Sequence, residues 1–270
     1  MNGQRDRIEA FRTLHASGCF VIPNPWDVGS AHVLAHLGFK ALASTSAGFA
    51  WTIGRPDNKV TLDDVLAHLR TIAAAVDIPV NADFEAGFAD DPNGVATNVT
   101  QATATGIAGL SIEDSIGSPD GALYDFELAV DRIRAARHAI DDSGTGVLLT
   151  ARSEGFIRGR PDLPETIRRL TAFAEAGADC LYAPGIKTDE QISAIVQAVA
   201  PKPVNVLVVA DSMTVDGLAA LGVRRVSVGG SLARTAWTGF LRAAREIAEK
   251  GTFTSFGGAV AVPEMNRLFT

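Results

Sequence analysis

Along nearly the whole chain, short apolar runs alternate with longer stretches whose apolar residues recur at helical spacing. The runs predict strands at Phe20–Pro23, Ala41–Ser44, Val80–Asp83, Gly109–Glu113, Val147–Arg152, Asp179–Ala183, Val204–Leu207 and Arg225–Gly229. The intervening periodicity predicts helices such as Leu62–Val76, Phe126–Ile140, Pro164–Ala176 and Glu190–Val199. The strand runs are hydrophobic on both faces, as in a parallel sheet covered by helices. Four phrases, Leu37-Gly38-Phe39, Thr105-Gly106-Ile107, Ala176-Gly177-Ala178 and Leu221-Gly222-Val223, place a glycine between a helix and the next strand. Glycine there ends a helix in a left-handed conformation that other residues adopt only at a cost. Eight strand–helix units, with no Gly-x-Gly-x-x-Gly turn after the first strand, predict a (β/α)8 barrel rather than a doubly wound sheet. No linker breaks the pattern, so residues 1–270 read as one domain. A short tail, about 252–270, is expected to pack on the barrel or on a neighbouring subunit.

Composition narrows the setting. The chain has 270 residues, 47% of them hydrophobic, enough for one large core. Against 24 Lys and Arg stand 31 Asp and Glu, a formal charge of −7 that argues against nucleic-acid and anionic-membrane partners. Cys19 and Cys180 fit no metal or redox motif, Met1 to Arg12 is too polar for a signal peptide, and no apolar run approaches the roughly 20 residues of a membrane span. A soluble, cytoplasmic protein is expected.

A barrel of this kind presents its chemistry where the strands end, so that rim can be read from the sequence. The first strand leads into Asn24-Pro25-Trp26-Asp27, and the second into Ser44-Thr45-Ser46-Ala47-Gly48, a small turn able to offer N–H groups to an oxyanion. The third delivers Asp83 and Glu85, the fourth Glu113 and Asp114, the fifth Arg152 and Glu154. Asn205 sits on the seventh, and Gly229-Gly230-Ser231 follows the eighth as a tight turn or a phosphate cradle. Grouped carboxylates are costly unless a cation compensates them, and oxygen ligands suit Mg²⁺, with Mn²⁺ as a substitute. The rim thus reads as acidic on one side, with one arginine and several amide or hydroxyl donors opposite, a pairing suited to an enolate beside a carboxylate. Blander roles stay open: Asp83 and Glu85 as helix caps, Arg152 as an ion-pair partner of Glu154 or Asp114, Tyr182 as packing, and Arg158 and Arg160 as solvated loop residues. All five histidines are expected on outer-ring helices, which excludes the usual nucleophilic triads and zinc sites.

These motifs resemble the isocitrate lyase/phosphoenolpyruvate mutase superfamily. The matching words are Pro25-Trp26-Asp27 with Ser30-Ala31, Gly38-Phe39-Lys40-Ala41, Gly54-Arg55-Pro56-Asp57, Asp83-Phe84-Glu85-Ala86-Gly87-Phe88, Ile112-Glu113-Asp114, Ala151-Arg152-Ser153-Glu154 and Ala176-Gly177-Ala178-Asp179. The resemblance implies a Mg²⁺-dependent enzyme acting on a small anionic 2-oxo acid or an enolpyruvate relative. It implies Asp83 as the direct metal ligand, with Glu85 and Glu113 holding the metal mainly through water. Asp57 matches an acidic residue near that water and joins Thr45 and Arg152 as the expected catalytic set. Thr45, Ser46, Ala47, Asp83, Arg152 and Asn205 are the expected substrate contacts. The resemblance further implies a homo-oligomer, a dimer or a tetramer, that exchanges the last barrel helix, here Ser231–Lys250.

The departures bear on the reaction. The superfamily's lyases carry a catalytic cysteine in a Lys-Lys/Arg-Cys-Gly-His loop, and its phosphonate mutases carry a lysine and an asparagine there. This chain reads Ser115-Ile116-Gly117-Ser118-Pro119-Asp120-Gly121. The expected activity is therefore C–C bond cleavage through an enolate, as in an oxaloacetate-type decarboxylase or hydrolase. A P–C bond enzyme acting on phosphonopyruvate or carboxyphosphonoenolpyruvate, and a non-catalytic 2-oxo acid binder, are the alternatives.

Overall fold

The computed structural model describes residues 3–118, 120–211 and 213–269. Eight strands form one parallel sheet: β1 (Phe20–Ile22), β2 (Leu42–Ala43), β3 (Val80–Asp83), β4 (Gly109–Glu113), β5 (Leu148–Arg152), β6 (Cys180–Tyr182), β7 (Val204–Leu207) and β8 (Arg225–Ser227). The ladder runs β1-β8-β7-β6-β5-β4-β3-β2, and the Ala43 N–H donates to the Pro23 carbonyl at 3.1 Å across the remaining gap. The result is a nearly closed (β/α)8 TIM barrel, as the sequence predicts, with most strands a residue or two shorter than their apolar runs.

Helices α2 (Val28–His36), α3 (Ser46–Thr52), α4 (Leu62–Ala75), α5 (Pro92–Thr103), α6 (Phe126–Ser143), α7 (Leu163–Glu175), α8 (Asp189–Val199) and α9 (Val215–Ala220) connect successive strands. Most begin at a side chain that accepts a free first-turn N–H: Thr61 for α4, Asp91 for α5, Asp162 for α7, Thr188 for α8 and Thr214 for α9. Their apolar faces cover the sheet, with Leu69, Val99, Leu170 and Ile195 wholly buried. Register places the future site in one row: Glu113 pairs with Arg152, Arg152 with Tyr182, and Tyr182 with Asn205.

The helix α1 (Gln4–Ala16) precedes the first strand and closes the bottom of the barrel. Gln4 donates from Nε2 to the carbonyls of Thr103 and Ile107, and Phe11 is wholly buried. A Cβ at Gly109 would lie 2.7 Å from Phe11 Cε1 and 2.6 Å from Asn81 Oδ1, so β4 must open on a glycine where the plug meets it. His15 corrects the sequence reading, because it lies in this plug and not on the outer ring. Its Nδ1 donates to the Phe11 carbonyl at 2.8 Å, leaving Nε2 as acceptor for Arg225 Nη1 at 3.3 Å. Arg225 in turn donates to Asn205 Oδ1 and Thr150 Oγ1 across the barrel interior. His68 lies on α4 of the outer ring, as expected, and stacks on Phe49 with ring centroids 3.9 Å apart.

The long helix α10 (Ser231–Lys250) buries little beyond Ala233 and leaves Trp237, Phe240 and Leu241 exposed. A 3₁₀ turn (Thr254–Gly258) and α11 (Val262–Arg267) complete the tail. Glu246 of α10 anchors the turn by accepting from Thr252, Thr254 and Ser255. Among the described residues, no helix is long and apolar enough to cross a membrane.

Burial and the neighbouring Arg225 charge push the His15 imidazole down from 6.5 to about 3. The unfolded chain therefore takes up a proton between those values while the folded chain does not, and stability falls as pH falls through that window. Between about pH 7 and about pH 5 this group removes about 2 kcal/mol. Urea titrations at the two pH values are expected to show a smaller difference for His15→Gln than for the parent by that amount.

Candidate active site

The rim chemistry converges on one guanidinium. Arg152, the last residue of β5, donates from Nη1 to Asp83 Oδ1 at 2.8 Å and from Nε to Glu154 Oε1 at 3.0 Å, and its Nη2 lies 3.2 Å from Glu113 Oε2. Its underside rests on the Tyr182 ring, 5.0 Å from the centroid. The sequence reading set the arginine opposite the acids; strand register instead puts it among them, because Glu113 and Arg152 are directly paired. Burial acts against the Arg152 charge, but Glu154, Glu113 and Asp83 together push its pKa up.

The partners are themselves held. Asp83 accepts the Ser46 N–H at 3.0 Å, and its own N–H donates to Ser44 Oγ at 2.8 Å. The Glu154 N–H donates to Asp114 Oδ1 at 2.8 Å, and Asp114 Oδ2 accepts from Arg169 Nη1 at 3.1 Å. Arg158 corrects a second expectation, since it is half-buried rather than solvated: its Nη2 reaches Glu113 Oε1 at 3.4 Å and its Nε lies 4.0 Å from Glu154 Oε2. Nothing in the apolar pattern marks Arg158, although its spacing of four from Glu154 is that of a contact across one turn.

Glu85 occupies the left-handed region, with φ 46°, as does Phe88, with φ 56°. Such conformations cost free energy in a residue with a Cβ and persist where surrounding contacts impose them. Here Arg132 binds the carbonyls of Ala86, Ala89 and Asp90, and Asn98 Nδ2 donates to those of Gly87 and Phe88. The turn holds the Glu85 carboxyl inward, where Oε1 is buried without a hydrogen-bond partner. Burial, then Asp83 and Asp57, push that carboxyl up to about 8. Burial and Glu154 likewise raise Glu113, and burial and Asp83 raise Asp57.

Two adjoining cavities collect the expected residues. One, of about 200 Å³, is lined by Thr45, Ser46, Ala47, Asp57, Asp83, Arg152 and Asn205. The other, of about 180 Å³, is lined by Glu85, Glu113, Glu154 and Arg158 and shares Ser46, Asp57 and Arg152 with the first. Thr45 caps α3 by accepting the Gly48 N–H, and a Cβ at Gly48 would sit 2.7 Å from Thr45 Cγ2 and 2.9 Å from Trp26 Cβ, so only glycine fits there. Asn205 is engaged within the barrel, donating to Ser227 Oγ and accepting from Arg225. Asn24 Oδ1 accepts the N–H groups of Val228 and Gly229, which makes Gly229-Gly230-Ser231 a tied turn.

The loop that distinguishes the subfamilies leaves β4 through a bridge between Ser115 and Leu123; Pro119 within it lies outside the described residues. Among the described residues no three His, Cys, Asp or Glu side chains form a ready-made metal-holding group. The donor set nevertheless suits a hard cation: Asp83, Glu85 and Glu113 offer only oxygen, and the buried, partnerless Glu85 oxygen is one that a cation would satisfy.

Replacing Arg169 tests how the centre is supported. Arg169→Met would leave Asp114 buried beside Glu154 without its guanidinium, and urea unfolding is expected to show a loss of about 3 to 5 kcal/mol. Arg168→Met, on the exposed side of α7, is expected to change stability by less than about 0.5 kcal/mol.

Comparison with known proteins agrees with this geometry. The family model for phosphoenolpyruvate phosphomutase matches residues 11–248. An oxaloacetate decarboxylase of Pseudomonas putida (strain GB-1) is 32% identical over 196 residues, covering 70% of this chain and 66% of the relative. A solved structure from Burkholderia cenocepacia J2315, described as a candidate lyase/mutase, is 48% identical with a TM-score of 0.95, covering 98% of this chain and 97% of that one. Oxaloacetate acetylhydrolase in complex with oxalate is 25% identical with a TM-score of 0.88, covering 99% and 95% respectively. The chain belongs to the phosphoenolpyruvate phosphomutase family, within the isocitrate lyase/phosphoenolpyruvate mutase superfamily.

Proposed function

We propose that the protein is a Mg²⁺-dependent enzyme that cleaves a carbon–carbon bond in a small 2-oxo acid through an enolate, as an oxaloacetate-type decarboxylase or hydrolase does. The observation that carries the reading is the Arg152 guanidinium held against Asp83, Glu113 and Glu154 beside the partnerless Glu85 oxygen. Asp83, Glu85 and Glu113 are the residues that would hold the metal. Bound there, Mg²⁺ or Mn²⁺ would supply Lewis-acid polarisation of the 2-oxo oxygen.

The chain's own groups supply the rest. Thr45, Ser46 and Ala47 line the cavity that would take the substrate's carboxylate. Arg152 stabilises negative charge as it develops on the 2-oxo oxygen, its orientation fixed in advance by three acids. In a decarboxylation the electron pair of the breaking bond passes to the carbon next to the 2-oxo group, carbon dioxide leaves, and a proton from water completes the product. Asp57, which lines both cavities, would orient that water. The oxaloacetate decarboxylase and acetylhydrolase relatives support this chemistry. The loop without lysine or cysteine supports it over mutase and methylisocitrate lyase chemistry.

The exposed apolar residues of α10 support assembly into a homo-oligomer, a dimer or a tetramer, and composition supports a cytoplasmic setting. Sedimentation is expected to give a mass above the 28.3 kDa of one chain.

A panel of 2-oxo acids and phosphonopyruvate, assayed with Mg²⁺ for pyruvate, carbon dioxide and phosphate, is expected to yield turnover of a 2-oxo acid above the metal-only background. Asp83→Ala is expected to lower that rate by about a hundredfold or more. Phosphorus turnover alone would establish the P–C reading. Calorimetric binding of oxalate with Mg²⁺, and no turnover of any acid, would establish the non-catalytic binder.

A further inference from the structure

Beside the acid–arginine centre, on the β5–β7 side of the rim, lies a third cavity of about 530 Å³. Phe156, Ile157, Ile186, Leu207, Val208 and Val209 form much of its wall. Ile157 and Leu207 also line the 200 Å³ cavity that contains Ser46, Asp83 and Arg152, so the two spaces meet at shared side chains. Ile157 is 49% exposed and Val209 57% exposed. Large apolar side chains left in water beside a polar centre gain free energy when an apolar group covers them.

The rim is therefore divided by chemistry. The acids, Arg152 and the Thr45 turn come from the ends of β2 to β5, whereas β6 and β7 contribute Ile186, Leu207, Val208 and Val209. Among the described residues no carboxylate lines the third cavity, and the cations that do, Lys187 and Arg234, are both exposed. Solvated cations at an edge select a distal charge only weakly.

We infer that the acid handled here carries an apolar substituent, seated in the β5–β7 cavity while its 2-oxo acid end lies against Arg152 and the Thr45 turn. The inference rests on the 2-oxo acid reading above and narrows it. An acid of three or four carbons occupies the smaller cavity alone, and an alkyl chain on its far carbon enters the larger one past Ile157 and Leu207. Each methylene moved from water onto that wall strengthens binding roughly threefold.

Oxamate and its N-alkyl derivatives, from methyl to butyl, present one 2-oxo acid head with a growing apolar tail. Calorimetry with Mg²⁺ is expected to show affinity rising roughly threefold per methylene. Val209→Asp, at an exposed position, is expected to abolish that rise while leaving oxamate affinity unchanged. Alkyl derivatives no tighter than oxamate would overturn the inference and leave the 2-oxo acid reading intact. So would N-carboxyalkyl derivatives that bind more tightly than alkyl ones of equal length, because the far end would then be a second acid. Failure of oxalate, oxamate and every derivative to bind would overturn both.

Discussion

One planar cation among buried carboxylates is the constraint on which the rim depends. Glu113 and Glu154 are 7% and 2% exposed at the side chain, and without Arg152 their charges would be confined with Asp83 in a space too dry to screen them. The five N–H donors of a guanidinium lie in one plane, which lets three acids approach different edges without sharing a proton. Each acid then needs its own support, and the structure provides it in layers. Ser44 and Ser46 fix Asp83, Asp114 fixes the Glu154 backbone, and Arg169 fixes Asp114.

In the proposed reaction, this preorganisation is what the chain itself would contribute. An electrostatic stabiliser is effective when it is oriented before charge develops and does not have to be reoriented during the reaction. Arg152 meets that condition through strand register on one side and the Tyr182 ring on the other. The Glu85 turn adds a complementary feature, a carboxyl held by backbone contacts in a conformation it would not choose alone.

The fold was legible because parallel strands buried on both faces leave near-continuous apolar runs, and helices leave capping residues at their starts. The carboxylates were legible because Asp83, Glu85 and Glu113 follow those runs directly. Relations across the barrel were not. Periodicity says which face of a strand is buried, but not that Arg152 would lie beside Glu113 rather than across from it. It also places His15 on a helix without saying that this helix turns beneath the barrel. Arg158 lies in a loop whose course is set by tertiary contacts, so its approach to Glu113 has no local signature. The divided chemistry of the rim was equally hidden, since Ile157 and Leu207 read as ordinary apolar residues of separate segments.

The contacts of the barrel also differ in how far apart along the chain they lie. The ion pair between Arg152 and Asp83 joins residues 69 apart, and that between Arg158 and Glu113 joins residues 45 apart. The plug contact between His15 and Arg225 spans 210. A longer loop costs more entropy to close, so the seam of the barrel carries the largest closure cost of these contacts. On a ribosome, which releases the chain from its N-terminus, the acid–arginine centre can form while β8 is still unsynthesised. The opening helix must meanwhile wait with its apolar face uncovered for the strand that completes its binding place. The acid–arginine half of the rim thus has its local partners early, and the closing half of the barrel is where a nascent chain is most exposed to misassembly.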